Sequence, residues 1–188
     1  MEKIRTFIAV PIPQAVKESI TSLQGPLVRS QADIKWVRPD SIHITLKFLG
    51  DVESGRIPEV VRAIEPAVLA IRPFSVQIGG CGFFPNAKKP NVLWIGVSEG
   101  ADALALLAQR IDDALSDIGF EREKRAFRSH LTIGRVRSTR HIEDAVSMLQ
   151  SSPFDAGTFE ARTVNLMKSD LRPEGAVYTP LFTFNLQG

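Results

Sequence analysis

His43-Ile44-Thr45-Leu46 and His130-Leu131-Thr132-Ile133 are two copies of one four-residue pattern, in which a histidine and a threonine alternate with aliphatic residues. The chain has only three histidines, and two of them begin this pattern. Because successive side chains of a β-strand point to opposite faces, each stretch predicts a strand whose aliphatic residues face the core. The imidazole and the hydroxyl then share the other face.

If both strands border one cleft, that cleft holds two proton-transfer groups and two hydroxyl donors. A histidine with a pKa of about 6.5 gives or takes a proton near neutral pH, so two histidines can serve as acid and base. Opening a cyclic phosphodiester requires a proton to leave the attacking water and another to reach the departing oxygen. The pattern therefore favours metal-free phosphoryl chemistry, with Thr45 and Thr132 as donors to the phosphate oxygens.

A single histidine on a strand is more often structural than catalytic, and threonine is common in strands because it is β-branched. The repetition of the pattern is what favours a functional interpretation. The third histidine, His141, has no threonine at the same spacing and begins a predicted helix. We therefore assign it to the surface.

The order of predicted elements also repeats along the chain. Hydrophobic periodicity predicts helices over residues 16–27, 57–68, 101–118 and 142–149, and strands over residues 4–12, 41–49, 74–78, 92–97, 127–137, 158–169 and 176–186. Each half contains one of the two histidine strands, and no flexible linker separates the halves. We predict one two-lobed domain over residues 1–188, with a duplicated, pseudo-twofold α+β fold. Two largely antiparallel sheets, flanked by helices, surround a central cleft.

Glycine and proline predict three breaks in these elements. Gly25-Pro26 is expected to end the first helix early, and Gly50-Asp51 is expected to turn the chain after the first histidine strand. Residues 79–86 read as a loop because they contain three glycines and a proline.

Strand parity also assigns the neighbours of the histidines to faces. In an unbroken strand Lys47 shares the face of His43, whereas Phe48 faces the core. Arg135 lies five residues after the second histidine and so points away from it, unless a bulge or the end of the strand at Gly134 turns the side chain back.

Composition limits the class of protein. The 188 residues carry a net charge of only +2 and a single cysteine, Cys81, which is typical of a reducing cytoplasm. No apolar run approaches the roughly 20 residues that span a bilayer. We expect a cytoplasmic monomer without a cofactor. A basic stretch surrounds the second motif and favours an anionic substrate, although a solvated basic surface would look the same; its cations are Arg122, Lys124, Arg125, Arg128, Arg135, Arg137 and Arg140.

Beyond the two motifs, the sequence resembles the RNA 2′,3′-cyclic phosphodiesterases, formerly called 2′-5′ RNA ligases, of the two-histidine phosphoesterases. The resemblance extends over essentially the whole chain. It is carried by residues 5–10, 36–50, 82–85 with Leu93-Trp94, 127–135, and 169–171 with 175–178. One departure is Ser129, where proline often precedes the second motif.

The resemblance implies hydrolysis of 2′,3′-cyclic phosphate RNA ends to a 2′-phosphate without a metal, so the expected partner is RNA or a nucleotide with such an end. It also implies roles for seven residues: His43 as proton donor, His130 as proton acceptor, Thr45, Thr132 and Arg135 as phosphate ligands, and Phe7 and Phe48 near the nucleotide.

Two other functions fit the same residues. The site could join a 5′-hydroxyl to a cyclic phosphate without ATP, giving a 2′-5′ linkage. It could also bind nucleotides or RNA without turnover. Because the motifs are nearly symmetric, the acid and base roles of the histidines could be exchanged.

Overall fold

Two separate sheets, with helices packed against them, make up the described part of the chain. The computed structural model describes residues 2–151, 153–173 and 175–188. Its elements are β1 (Lys3–Pro11), α1 (Gln14–Arg29), β2 (Ile34–Trp36), β3 (His43–Glu53), α2 (Ile57–Leu69), β4 (Phe74–Phe84), β5 (Val92–Glu99), α3 (Ala101–Ser116), β6 (His130–Val136), α4 (Ile142–Ser151), β7 (Asp155–Ala161), β8 (Thr163–Arg172) and β9 (Gly175–Asn185).

The first sheet has the order β3-β1-β8-β9, and the second sheet has the order β2-β6-β5-β4-β7. Every strand pair in both sheets is antiparallel. Each sheet therefore contains one of the two histidine strands, β3 or β6. The predicted α+β fold with two antiparallel sheets is confirmed, while the assignment of residues 1–188 to one domain stays a prediction.

Two helices cross from the sheet that precedes them in the chain to the other sheet. Helix α1 follows β1 of the first sheet but contacts β7 of the second, and α3 follows β5 of the second sheet but contacts β3 of the first. Helix α2 lies beside α3 and contacts β9, and α4 contacts β4. The exchange of α1 and α3 ties the two lobes together, as expected of a duplicated fold whose halves share one core.

The core is aliphatic and includes the motif strands. Ile44 and Leu131, the second residues of the two motifs, are fully buried, as are Ile20 of α1 and Ile111 of α3. Burying one such side chain stabilises the fold by about 1.5–3 kcal/mol. The core side chains therefore hold each motif strand in one orientation.

Two of the three predicted breaks are wrong and the third begins later than predicted, because tertiary packing overrides the local signals. Helix α1 continues through Pro26 to Arg29, since Leu27 beyond it is buried. Strand β3 continues past Gly50 to Glu53, because Val52 is buried and pairs with Ile4.

Residues 79–84 are strand rather than loop, since β4 extends to Phe84 and pairs with β5. Gly82 lies against the ring of Trp94, so closely that an added Cβ would overlap it. Gly82 is therefore required for close packing of β4 against Trp94 of β5, and it does not form a turn. Across the described residues no helix is both long and apolar enough to cross a membrane.

Candidate active site

The two motif strands meet where the sheets adjoin. Each strand begins at its histidine, and β3 contacts β6 although they belong to different sheets. The aliphatic motif residues are buried on one face, while the histidine and threonine side chains are partly exposed. The junction between the sheets therefore carries the four polar motif residues: His43, Thr45, His130 and Thr132.

Each imidazole is held by the same backbone contact. His43 Nδ1 lies 2.8 Å from the carbonyl oxygen of Ser41, and His130 Nδ1 lies 2.7 Å from that of Arg128. In both cases the carbonyl belongs to the residue two positions earlier. Because a carbonyl oxygen only accepts hydrogen bonds, Nδ1 carries the hydrogen in both rings. Nε2 is therefore the atom that can accept a proton, or donate one when the ring is charged.

His43 is enclosed by aromatic rings. Phe7 stacks on it with ring centroids 4.6 Å apart, and Tyr178 meets it edge-on at 5.1 Å. Burial lowers the pKa of His43 to about 4; the hydrogen bond to Ser41 opposes this shift, and the positive charge of Lys17 adds to it. The pocket therefore holds a neutral imidazole at neutral pH.

His130 has a different aromatic neighbourhood. Phe84 meets its ring edge-on, with centroids 5.1 Å apart, and Trp94 lies 6.5 Å away. Phe84 and Trp94 also contact each other at 5.2 Å. Gly82 leaves the space that the Trp94 ring occupies. The second half of the site therefore has its own aromatic wall, built from β4 and β5.

A β-bulge interrupts β3 directly after its threonine. Thr45 pairs with Ala9 and Lys47 pairs with Ile8, so Leu46 is the extra residue. An extra residue reverses the alternation of side chains beyond it, until a second extra residue, Leu49, restores it before the buried Val52.

Strand β6 has a bulge at the equivalent position. Thr132 pairs with Trp94 and Gly134 pairs with Leu93, so Ile133 is the extra residue. The fourth residue of each motif is thus the bulged one, and the two halves repeat this backbone irregularity as well as the sequence pattern.

The bulges overturn the face assignments made from unbroken alternation. Phe48 pairs with Phe7 on the cleft side, with ring centroids 5.9 Å apart, and it is 63% exposed rather than in the core. Lys47 is buried away from His43. Arg135 is exposed and lines the cleft, because the bulge lies at Ile133 and not at Gly134.

The buried Lys47 anchors the first bulge to helix α3. Its Nζ donates to an Asp112 carboxylate oxygen and, at 2.8 Å, to the carbonyl of Glu121. Asp112 also accepts from the backbone N–H of Glu123 at 3.1 Å. Burial raises the pKa of Asp112, but these hydrogen bonds and the nearby positive charges outweigh burial and lower it. Lys47 is therefore a structural cation, and it ties β3 to the segment that leads into β6.

Gln24 of α1 anchors the second bulge. Its side chain is 6% exposed, and its Nε2 lies 3.0 Å from the carbonyl oxygens of both Val37 and Ile133. The Val37 N–H donates to the same Ile133 carbonyl at 2.9 Å. The carbonyl of the bulged residue is therefore held from two sides.

A cavity of about 550 Å³ opens beside the His43 pocket. Phe7, Phe48 and Tyr178 of the first sheet line it together with Arg135 of the second. Burial raises the pKa of Tyr178, although the positive charges of Arg135 and Arg5 oppose the shift. Both arginines therefore lie near the phenol that contacts His43. Within the described residues, no group of three or more His, Cys, Asp or Glu side chains is arranged to hold a metal.

Alternation within the motifs could not reveal Gln24, Trp94 or Tyr178. Tyr178 belongs to β9, which is three strands away from β3 in the first sheet, and it reaches His43 because the start of β9 lies against residues 39–41, where the Ser41 hydroxyl donates to the Ala176 carbonyl at 3.3 Å. Gln24 lies on the face of α1 that also carries Val16, Ile20 and Leu27. A polar residue within an otherwise apolar helix face is the one sequence signal that indicates a role for Gln24.

The duplicated sheets and the paired histidine strands define a class of protein with one cleft shared by two related halves. A model of the 2′-5′ RNA ligase superfamily matches residues 12–173. The chain therefore belongs to that superfamily, and the family resemblance noted in the sequence is confirmed.

Several relatives are similar over nearly their full length. The RNA 2′,3′-cyclic phosphodiesterase of Methanothermobacter thermautotrophicus is 31% identical and aligns over 98% of this chain and 100% of its own. The protein of the same name from Archaeoglobus fulgidus is 34% identical over 96% of this chain and 99% of its own. The solved structure of TT0787 from Thermus thermophilus covers 98% of this chain and 99% of its own, with a TM-score of 0.84 and 26% identity.

Proposed function

We propose that this chain hydrolyses 2′,3′-cyclic phosphate ends of RNA to 2′-phosphates, using His43 and His130 as an acid–base pair and no metal. The observation that carries the proposal is the repeated geometry of the two histidines. Each has its Nδ1 tied to a backbone carbonyl and its Nε2 available, on two strands that contact each other. Relatives of the same length are named RNA 2′,3′-cyclic phosphodiesterase, which supports the same activity.

The proposed reaction consumes one water. His130 takes a proton from the water, whose oxygen forms a new bond to phosphorus. The bond from phosphorus to the 3′ oxygen breaks, and His43 delivers a proton to that oxygen. The product keeps its phosphate on the 2′ oxygen, and proton exchange with solvent resets the two rings. Arg135 and the hydroxyls of Thr45 and Thr132 stabilise the charge on the non-bridging oxygens.

The donor role requires a charged His43, whereas burial lowers the pKa of this ring to about 4 in the free protein. A bound phosphate supplies a negative charge beside the ring, and an opposite charge within a few ångströms raises the pKa of an imidazole. The interaction is strong where water is excluded, as in the aromatic pocket of His43. We therefore propose that binding of the substrate raises the pKa of His43, so that this imidazole is protonated when it acts as proton donor.

The test uses two RNA substrates that end in a cyclic phosphate, one natural and one with sulfur in place of the bridging 3′ oxygen. A thiolate leaves without a proton, so the sulfur substrate should restore most activity to His43→Ala but little to His130→Ala. Rescue of His130→Ala alone would exchange the two roles. The absence of 2′-phosphate product from the wild-type protein, with or without a chelator, would overturn the proposed function.

The superfamily description gives ligation as a second candidate. In ligation a 5′-hydroxyl replaces the water: it gives its proton to His130 and bonds to phosphorus, while the bond from phosphorus to the 3′ oxygen breaks and His43 protonates that oxygen. RNA halves with a cyclic phosphate and a 5′-hydroxyl should be incubated with the protein, and the linked product compared with the 2′-phosphate. An excess of linked product would make ligation the main activity.

A further inference from the structure

The cavity of about 550 Å³ beside His43 is strongly cationic, and we call it the cationic cleft. No carboxylate lines it among the described residues, although the whole chain has a net charge of only +2. Arg5, Lys35, Arg38 and Arg135 form no ion pair within the described part of the chain. The cations that line it are Arg5, Lys35, Arg38, Arg135 and Arg172.

Aromatic side chains line the cleft together with these cations. Trp36 lines it from the second sheet, and Phe48 and Tyr178 line it from the first sheet. Phe48 is 63% exposed, a large exposure for an aromatic ring beside a site. Single-stranded nucleic acids bind to surfaces that combine cations for the phosphates with aromatic faces for the bases.

A second cavity, of about 520 Å³, shares Phe48 and Gly50 with the cationic cleft. Its lining includes Glu121 and Glu123, and two of its cations are already paired, Lys47 with Asp112 and Arg122 with Asp113. A polyanion leaving the site therefore gains more from the cationic cleft than from this second cavity.

The chemistry of the substrate determines on which side of the cyclic phosphate the rest of the RNA strand lies. A 2′,3′-cyclic phosphate is the 3′ end of an RNA, so every other nucleotide lies on its 5′ side. We propose that the cationic cleft binds the nucleotides that precede the cyclic phosphate, with Lys35 and Arg38 on their phosphates. This inference rests on the proposed function and narrows it, because it makes an RNA strand the preferred substrate over a mononucleotide.

The test compares two substrates and two double variants. The substrates are uridine 2′,3′-cyclic monophosphate and a five-nucleotide RNA that ends in a 2′,3′-cyclic phosphate. The variant K35Q/R38Q removes two charges from the cationic cleft, and R62Q/R110Q removes two exposed charges that line neither cavity. Both variants leave the motif histidines and threonines and Arg135 in place.

K35Q/R38Q should lower kcat/KM for the five-nucleotide RNA about tenfold, mainly through KM, because exposed charge pairs contribute a few-fold each. It should change kcat/KM for the mononucleotide less than twofold. The logarithmic salt slope for binding should become shallower by about 1.4, since each phosphate contact to a single strand contributes about 0.7. R62Q/R110Q should leave kcat/KM for both substrates unchanged.

Equal losses on the two substrates would place Lys35 and Arg38 at the terminal phosphate and overturn the inference, as would no loss on either. A wild-type protein that hydrolyses neither substrate would overturn the proposed function instead. Binding of a fluorescent five-nucleotide RNA with a 2′-phosphate end tests the cleft without turnover. If its affinity is the same for the wild type and K35Q/R38Q, the inference fails whatever the rates show.

Discussion

Strands β3 and β6 carry the same backbone features but different side chains around them. In both, the histidine Nδ1 is tied to the carbonyl of the residue two positions earlier, and a bulge follows the threonine. In both, the bulge returns the fifth residue after the histidine to the cleft. That residue is Phe48 in β3 and Arg135 in β6.

In the proposed mechanism this difference divides one reaction between the two halves. The first half surrounds its imidazole with Phe7 and Tyr178 and adds an aromatic ring at the fifth position. The second half places a guanidinium at that position, where the charge can face a phosphate. The backbone thus positions both imidazoles in the same way, and both have aromatic neighbours, but the fifth residue after the histidine is an aromatic ring in one half and a cation in the other.

The largest expected effect is the loss of either imidazole. His43→Ala and His130→Ala should each lower kcat/KM for a cyclic-phosphate RNA by about 100- to 10,000-fold, the usual range for a general acid or base. The double variant should lose little more than the worse single variant, because the two groups act in one step. His141→Ala is the matched control, since His141 is exposed and outside the site.

An activity within tenfold of the wild type in either single variant would contradict the paired mechanism. A loss in one variant only would show that the repeated geometry is used by one half alone. Rates should be measured under single-turnover conditions, so that product release does not hide the effect on chemistry.

The next largest expected effect is a pH dependence of the free energy of unfolding that arises from the buried His43 of the first half. The pKa of His43 is about 4 in the folded protein and near its ordinary 6.5 in the unfolded chain. Between these values the unfolded chain binds more protons than the folded one, so the free energy of unfolding rises as pH rises from about 4 to 6.5. The gain is about 3 kcal/mol at most.

Urea unfolding at several pH values tests this expectation. His43→Phe should remove most of the rise between pH 4 and 6.5, because the ionisable group is gone and the aromatic contacts remain possible. Parallel curves for the wild type and His43→Phe would show that the pocket does not exclude the charged ring.

Substitutions of Arg135 and Phe48, the two residues that the bulges turn to the cleft, should affect different kinetic constants. Arg135→Gln should lower kcat/KM about 10- to 100-fold, since hydrogen bonds to charged groups contribute about 1.5–3 kcal/mol. Phe48→Leu should cost about fivefold and mainly raise KM, because a base-stacking contact contributes about 1 kcal/mol or more. If Phe48→Leu instead lowers kcat as much as Arg135→Gln does, the division between apolar contact and charge is wrong.

Alternation within each motif was sufficient to predict which residues are buried. Ile44 and Leu131 face the core because period-two alternation holds up to the threonine. Beyond it, the faces of Lys47, Phe48 and Arg135 depend on one extra residue in each strand. The extra residue in β3 is defined by pairing with β1, and the extra residue in β6 by pairing with β5. Both partner strands are distant in sequence, so the motif alone does not predict the bulges.

The ends of the elements failed as predictions for a related reason. Pro26 and Gly50 are local signals, but the burial of Leu27 and Val52 beyond them stabilises continued helix and strand. Tyr178 likewise reaches His43 because the start of β9 lies against the segment that precedes β3. Local sequence therefore predicts the elements and the motifs, whereas the walls of the site arise from contacts between distant segments.

The smallest effect concerns the anchors of the two bulges. The bulge in β3 is followed by the buried ion pair of Lys47 with Asp112, whereas the bulge in β6 is held by the neutral amide of Gln24. Gln24→Met keeps the length of the side chain but removes a donor to two backbone carbonyls. Leaving buried acceptors with fewer donors costs about 1–3 kcal/mol, and we expect the lower half of that range because Val37 N–H still reaches the Ile133 carbonyl.

A loosened bulge should also allow Arg135 to leave the cleft. Gln24→Met should therefore lower kcat a few-fold in the wild-type background and have almost no effect on kcat in Arg135→Gln, where the guanidinium is already absent. Gln109→Met makes the same chemical change at an exposed position of α3 and should alter neither stability nor kcat. Equal losses of kcat from Gln24→Met in both backgrounds would mean that Gln24 supports the fold of β6 but does not position Arg135.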